Sequence, residues 1–221
     1  MFYLEMGLMQ FRDIVREKRL RFLFYILSQN EDSILFKFLK SQIRNRTKRD
    51  WVTSIIGDLE YLNLENMNFE EIKSMKQTSF EGMVKEKIRN KAFERLKGIK
   101  NSHSKVKELE YTVLRIQKYL QPNQTKITKD ECKLIFKLRC KVMDVKANMK
   151  KMHVTLECGA CGVEQETQEH ILKCEKLCKN EDNHEHNYEK LNNGTVYEKL
   201  CIAKEFKENY EVLKELKENE S

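Results

Sequence analysis

Apolar residues recur along most of the chain at the three- and four-residue spacing of helices, and they do not alternate as they would in strands. This spacing predicts nine helices, over residues 11–29, 32–45, 50–62, 69–76, 79–99, 104–120, 129–150, 168–178 and 196–218, the last with a break expected near Lys204. Seven glycines and a single proline leave few residues that favour tight turns. The pattern therefore predicts an all-α protein.

Four of the helix starts are marked by a capping box. In this motif a side-chain oxygen and a glutamate three positions later bond to the free amides of the first turn. The pairs are Asn68 with Glu71, Thr78 with Glu81, Thr128 with Glu131, and Thr195 with Glu198.

Polar stretches divide the chain into segments. Residues 121–125, QPNQT, contain the only proline and mark the clearest internal boundary. Residues 179–195 are polar enough to form a mobile linker. The predicted organisation is a helical body over 1–121, a basic amphipathic helix over 126–153, a small cysteine module over 154–178, the polar linker, and a helical tail over 196–221.

The helix predicted over residues 129–150 has one apolar side and one strongly basic side. Its apolar stripe consists of Leu134, Leu138, Val142, Val145 and Met149. The cations around that stripe are Lys133, Lys137, Arg139, Lys141, Lys146, Lys150 and Lys151, and Asp144 is the only acid between the first and the last of them. Such a helix can bury one side and offer the other to phosphates. A core helix with a solvated lysine face fits the same pattern.

Two further basic clusters lie nearer the start of the chain. The first contains Arg16, Lys18, Arg19 and Arg21. The second, RNRTKRDW, contains Arg44, Arg46, Lys48 and Arg49 directly before Trp51. An aromatic ring beside cations can stack on a base, although a lone tryptophan at a helix start also serves as a core anchor.

The net charge of +7 is unevenly distributed, with a basic first part up to residue 150 and an acidic part after it. This asymmetry suits a polyanion partner, and it also suits helices with solvated lysine faces. The longest uncharged apolar segment, residues 22–30, falls far short of the roughly 20 residues that span a bilayer, so no membrane partner is expected. An odd number of cysteines, seven, without a recognisable signal peptide indicates a reducing, intracellular compartment.

Three cysteines and one histidine follow the spacing of a metal site: Cys158-x2-Cys161-x8-His170-x3-Cys174. Zinc prefers four such ligands in a tetrahedron, and a full shell leaves no position for a reactive water, so a structural Zn²⁺ is predicted. Unpaired buried cysteines are the alternative, and Cys178 is a possible substitute ligand, with His184 and His186 less suited. Phosphate-binding loops, nucleophile elbows and paired catalytic aspartates are absent from the sequence, so no enzymatic activity is expected.

The stretch FKLRCKVMDVKANMKKMH, followed by the Cys-Cys-His-Cys motif, resembles the C-terminal region of non-LTR retrotransposon reverse transcriptases. The resemblance extends over nearly the whole chain, with Cys140 standing where a hydroxyl residue is expected. It implies a segment that follows the polymerase in the polyprotein and binds RNA template or target DNA. It also implies that the protein is located in the nucleus. It also implies zinc ligation by the four motif residues and backbone contacts by Lys137, Arg139, Lys141 and Lys146. The polymerase and endonuclease parts would lie elsewhere, and this chain would be a truncated copy.

Three functions are compatible with these observations. The first is a non-catalytic fragment that binds RNA or DNA. The second is a helical protein-interaction module stiffened by zinc, which would bind a partner helix or a second copy through Phe206, Tyr210, Leu213 and Leu216 of the tail. The third is a decayed remnant without function.

Overall fold

The computed structural model describes residues 2–121, 127–148, 155–178 and 187–219. These ranges contain ten α-helices and no extended strand, which confirms the all-α prediction. The helices are α1 Phe2–Glu5, α2 Phe11–Leu27, α3 Ile34–Arg44, α4 Trp51–Tyr61, α5 Phe69–Ser74, α6 Gln77–Asn101, α7 Lys129–Arg139, α8 Gln168–Lys173, α9 Asn187–Asn193 and α10 Val196–Asn219. Two short 3-10 turns lie at Lys118–Leu120 and Lys146–Asn148.

Residues 2–98 and 113–115 form one compact unit, the N-terminal unit. Its core is built from the apolar sides of α2 to α6, with Leu20, Leu23, Ile55 and Phe80 fully buried. The rings of Phe24 and Phe80 stack inside it at a centroid distance of 5.4 Å. Amphipathic helices bury one side in this way because burial of apolar surface is the main source of stability.

A buried ion pair ties α2 to α6 within this unit. The carboxylate of Asp13 is fully buried and accepts from Arg95 Nη1 at 3.1 Å and Nη2 at 2.5 Å. Arg95 Nη1 also donates to the Tyr61 hydroxyl at 3.0 Å. A bidentate arginine is the partner that best compensates a buried carboxylate.

Three arginines of the first basic cluster, around residues 16–21, form ion pairs within the unit. Arg16 and Arg19 contact the carboxylate of Asp58 at 3.2 and 2.8 Å. Burial raises the pKa of Asp58, and the two arginines oppose that rise. Arg21 pairs with Glu81 at 2.7 Å. These three arginines therefore stabilise the fold, and little of their charge is left for a ligand.

Residues 99–112 and the part of the chain from Ile116 onward form the second compact unit, the C-terminal unit. The predicted boundary at 121–125 thus differs from the observed division, which falls near residue 98. Within this unit α7, α8, α9 and α10 share one core, and its fully buried residues include Ile135, Leu138, Ile171, Leu191, Phe206 and Leu213. The cysteine module and the helical tail are therefore parts of one core rather than separate modules.

The apolar stripe of α10 is packed inside this unit. Phe206 and Leu213 are fully buried, and Tyr210 donates its hydroxyl to the Asp144 carbonyl at 2.7 Å. Only Leu216 is markedly exposed, at 38%. The surface predicted to seek a partner helix is thus already occupied by the protein's own core. The helix also runs unbroken past Lys204.

The basic helix predicted over 129–150 is wrong in length, because α7 ends at Arg139. Lys141 adopts a left-handed conformation with φ of 54°. The N–H of Val142 bonds to the Lys137 carbonyl at 3.0 Å, and the N–H of Lys141 bonds to the Leu138 carbonyl at 3.1 Å. This pattern is a Schellman motif, which terminates a helix and reverses the chain. The five-residue stripe is broken there, and Val142 is 48% exposed.

The helix predicted over 104–120 is also wrong, apart from the 3-10 turn at its end. Side chains of α6 take up the backbone carbonyls that a helix would use. Lys100 Nζ donates to the carbonyls of Lys107 and Leu109 at 2.6 Å each, and Arg89 Nε donates to that of Leu114 at 3.0 Å. Cationic side chains of α6, the buried Lys100 and the exposed Arg89, thus bond to carbonyls of an irregular segment that stands in place of a helix.

Three of the four predicted capping boxes are confirmed, at Asn68, Thr128 and Thr195. The Thr78 box is wrong because α6 already begins at Gln77. The predicted linker over 179–195 includes an unpredicted helix, α9, which is held in the core by Leu191. Residues 179–186 lie outside the described part of the chain.

Candidate metal centre

The four residues of the cysteine motif come together in the C-terminal unit. The sulfur atoms of Cys158, Cys161 and Cys174 and a ring nitrogen of His170 all lie within 4.8 Å of one another. Cys161 Sγ is 3.3 Å from His170 Nε2. A tetrahedral ion with thiolates at about 2.3 Å and imidazole at about 2.0 Å requires ligand atoms roughly 3.5–3.8 Å apart. The cluster could therefore hold a metal ion.

A tight turn between Cys158 and Cys161 supplies the first two ligands. The N–H of Gly162 bonds to the Cys158 carbonyl at 2.8 Å, and the N–H of Cys158 bonds to the Glu164 carbonyl at 2.7 Å. The glycine with a left-handed φ in this turn, 68°, is Gly162. A side chain at position 162 would be strained, which explains the glycine there.

The two halves of the cluster differ in how readily their thiols ionise. The backbone N–H groups of Glu164 and Val163 bond to the Cys161 sulfur and lower its pKa to about 6. Burial raises the pKa of the Cys174 thiol to about 12. Cys174 therefore gains the most from the positive charge of a bound ion, which favours the thiolate form.

The other two ligands come from α8 and its C-terminal end. The Thr167 side chain accepts from the N–H of His170 at 3.0 Å and so caps the start of α8. The helix ends at Lys173, before the predicted residue 178, and places Cys174 at its C-cap. Cys178 is not in the cluster: its sulfur contacts the Leu172 carbonyl at 3.2 Å. His184 and His186 lie outside the described residues.

Glu164 orients the histidine ligand. Its Oε2 lies 3.1 Å from His170 Nδ1 and 3.2 Å from Lys173 Nζ, and these two partners, Lys173 first, lower the pKa of the carboxyl. With Nδ1 held by the carboxylate, Nε2 faces the cluster, 3.3 Å from the Cys161 sulfur. Metal-binding histidines are commonly fixed by a carboxylate in this way.

We expect Glu164→Ala to weaken metal binding about tenfold, because the imidazole loses the group that fixes its orientation and tautomer. Competition of Co²⁺-loaded protein against a chelator, followed by the cobalt–thiolate absorbance, measures the change. Glu175→Ala is the control, since this residue is an exposed neighbour of Cys174 and its carboxylate forms no ion pair with the cluster among the described residues. Equal affinity of the two variants would contradict the role of Glu164.

Glu166 connects the Cys3His cluster to the rest of the unit through hydrogen bonds. The sequence did not reveal this role. The residue is fully buried. Its Oε1 accepts from the backbone N–H of Lys146 at 3.1 Å and from Lys217 Nζ at 2.9 Å, and its Oε2 faces the N–H of Gly159 at 3.4 Å. In the sequence Glu166 is one of several acids in a polar loop, so nothing distinguishes it from its neighbours.

Arg139, predicted to contact nucleic acid, is buried with 1% of its surface exposed. Its Nη1 donates to the backbone carbonyls of Leu191, at 2.9 Å, and Asn192. Its guanidinium carbon lies 5.9 Å from the ring centroid of Tyr119. The prediction is wrong for this residue, because α9 covers it and uses its charge to satisfy carbonyl groups.

The other predicted cations of 133–150 are only partly available. Lys141 pairs with Glu169 at 2.7 Å, and Lys146 Nζ donates to the Glu157 carbonyl at 2.8 Å. Lys137 Nζ lies 3.8 Å from the carboxylate of Asp144, a longer ion pair. Lys133 is exposed and has no ion pair among the described residues. Lys150 lies outside those residues.

Arg44, Arg46, Lys48 and Arg49, here called the basic segment, are exposed to solvent in the N-terminal unit. All four side chains are exposed, and none is ion-paired within the part of the chain that the structure describes. Asp50, the nearest acid, instead caps α4 by accepting from the N–H groups of Thr47 and Thr53, and these bonds lower the pKa of its carboxyl. The segment is therefore a concentrated patch of unpaired positive charge.

Known protein families, curated proteins and solved structures give no significant match to this chain. Among the described residues, no helix is long and apolar enough to cross a membrane. An interpretation of function therefore depends on two features of the chain itself, the Cys3His cluster and the exposed basic segment.

Proposed function

We propose that the protein is a non-catalytic nucleic-acid-binding segment derived from a non-LTR retrotransposon reverse transcriptase. Its ligand would be RNA template or target DNA, and its place of action the nucleus, where target DNA lies. The observation that carries the proposal is the basic segment at residues 44–49, whose four cations are exposed and unpaired. Phosphate groups are the partners that such a concentration of positive charge attracts most strongly.

The metal ion proposed for the Cys3His cluster is Zn²⁺. Three thiolates and one imidazole form the donor set that zinc prefers, and they fill its tetrahedral shell. When bound, the ion would supply folding energy to the C-terminal unit. Cys158, Cys161 and Cys174 would hold it through sulfur, and His170 through Nε2, with Glu164 on the opposite ring nitrogen.

The basic segment is held in a defined shape, which favours specific binding over loose attraction. Thr53 Oγ1 donates to the Thr47 carbonyl at 2.6 Å, and Arg46 Nε lies 3.4 Å from the same hydroxyl. These contacts fasten the segment to the first turn of α4. A ligand that binds to a preformed segment has less conformational entropy to remove.

Changing Arg44, Arg46, Lys48 and Arg49 together to glutamine should weaken binding strongly and flatten its salt dependence. Each phosphate contact on a single strand contributes about 0.7 to the slope of log affinity against log salt, so loss of four contacts lowers the slope by about 3. Fluorescence anisotropy of the zinc-loaded protein with single-stranded RNA and duplex DNA, repeated across salt concentrations, measures both quantities.

The matched control removes four exposed lysines that lie apart in the sequence: Lys85, Lys129, Lys176 and Lys207. It lowers the net charge by the same amount as the test variant. Equal slopes for the two variants would show that net charge alone drives binding. Absence of binding by the unaltered protein at low salt would contradict the proposed function itself.

A further inference from the structure

Three aromatic side chains form an open cluster beside the basic segment. The rings of Phe22 and Tyr25 stack at 6.0 Å with an interplanar angle of 16°, and the Phe22 ring meets Trp51 edge-on at 5.7 Å. Phe22 is 45% exposed and Tyr25 51%, while Trp51 is partly buried against the core. Large apolar side chains exposed in contact with one another, rather than singly, mark a binding surface.

Cations lie close in the sequence to both Phe22 and Trp51. Arg49 precedes Trp51 by two residues, so the basic segment leads directly into the cluster. On α2, Lys18 lies four residues before Phe22, which places both on one helix face. Lys18 is exposed and has no ion pair among the described residues. Flat apolar rings and unpaired positive charge thus occur on one surface.

We infer that this surface binds single-stranded nucleic acid, with bases stacked on Phe22, Tyr25 and Trp51 and phosphates on the basic segment. The inference rests on the proposed function and deepens it. Unpaired bases present flat faces to aromatic rings, while a duplex keeps them stacked inside. A protein ligand would not require this pairing of open rings with four unpaired cations, and duplex DNA would leave the rings unused.

Trp51 is the only tryptophan in the chain, so its fluorescence reports on this surface alone. The zinc-loaded full chain is titrated with a short oligothymidylate, with an abasic deoxyribose–phosphate strand of equal length, and with a duplex. We expect quenching of Trp51 by the oligothymidylate and none by the abasic strand. The double variant Phe22→Leu with Tyr25→Leu keeps apolar side chains on α2 but removes two flat rings.

This variant should bind the oligothymidylate roughly five- to a hundredfold more weakly, because stacking contributes substantially for each base. Its affinity for the duplex should not change. Tyr197→Leu, which removes a 75%-exposed ring from α10, is the control and should bind normally. Circular dichroism shows whether the double variant is folded.

Two results would overturn the inference while leaving nucleic-acid binding intact. One is anisotropy-detected binding with equal affinity for the oligothymidylate and the abasic strand. The other is binding without any change in Trp51 fluorescence. A concentration-dependent shift of Trp51 emission without nucleic acid would assign the surface to a second copy of the chain instead. Absence of binding to every strand would contradict the proposed function.

Discussion

Cys158→Ser is expected to unfold most of the C-terminal unit and not only the turn that contains it. Cys158 and Cys174 belong to the same core as Phe206 and Leu213 of α10. Structural zinc contributes on the order of 10 kcal/mol of apparent binding energy in small zinc domains, which is comparable to the whole stability of a typical domain. Thermal unfolding and amide hydrogen exchange of α10 in the zinc-loaded protein would detect the loss.

The control for this experiment is Cys201→Ser. Cys201 is exposed and lies outside the metal cluster, so its replacement should leave unfolding and exchange unchanged. Chelation of the unaltered protein should reproduce the Cys158→Ser result, because both remove the ion. Wild-type exchange rates in α10 after either treatment would contradict the assigned ligands.

Glu166→Ala should lower the free energy of unfolding of the C-terminal unit by about 3 kcal/mol. The substitution removes the buried carboxylate that accepts from Lys217 Nζ at 2.9 Å and from the N–H of Lys146 at 3.1 Å, and that faces the N–H of Gly159. When a buried polar group loses its hydrogen-bond partner, the free energy of unfolding falls by this amount because the desolvation of the group is no longer compensated. Urea unfolding of the zinc-loaded protein gives the value.

Two further substitutions separate this effect from a general loss of charge. Glu166→Gln keeps an acceptor oxygen for the backbone amides and should recover part of the stability. Glu208→Ala removes an exposed acid of α10 and should change stability by less than about 0.5 kcal/mol. If Glu166→Ala behaves like Glu208→Ala, the buried glutamate does not stabilise the unit.

The all-α fold class and the Cys3His cluster were predictable because each depends on the spacing of residues that are close in the sequence. Apolar periodicity located α2 to α6 to within a few residues, except that the capping box at Thr78 was misplaced. The four ligand positions follow from the Cys-x2-Cys and His-x3-Cys spacing, and the Thr167 cap fixes the orientation of α8. Such patterns can be recognised in the sequence because the residues that interact are close together in it.

The errors come from a helix end without its usual glycine and from interactions between residues far apart in the sequence. The end of α7 is a Schellman turn with Lys141 in the left-handed position, where glycine is the usual signal, so the pattern continued past the true end. Arg139 has the same appearance in the sequence as Lys133, yet one is buried under α9 and the other is exposed. Only tertiary packing distinguishes a cation that satisfies carbonyl groups from one that faces solvent.

The open aromatic cluster was missed for a related reason. Phe22 lies in a helix whose other apolar residues, Leu20 and Leu23 among them, are buried. Helical spacing alone does not determine which part of a broad apolar face is covered. Trp51 was interpreted either as a core anchor or as a stacking ring, and its position is intermediate, since it packs on the core and also touches Phe22.

The buried pair of Asp13 and Arg95 has a consequence for how this chain can evolve. Loss of either partner strands a charge in the core, at a cost of about 3–5 kcal/mol, whereas Lys48 or Arg49 can change singly without such a penalty. In a set of related sequences, positions 13 and 95, which are 82 residues apart, would therefore change together or not at all. Coupled change of this kind arises only under selection for a folded product, and neutral drift of a decaying gene copy would erase it.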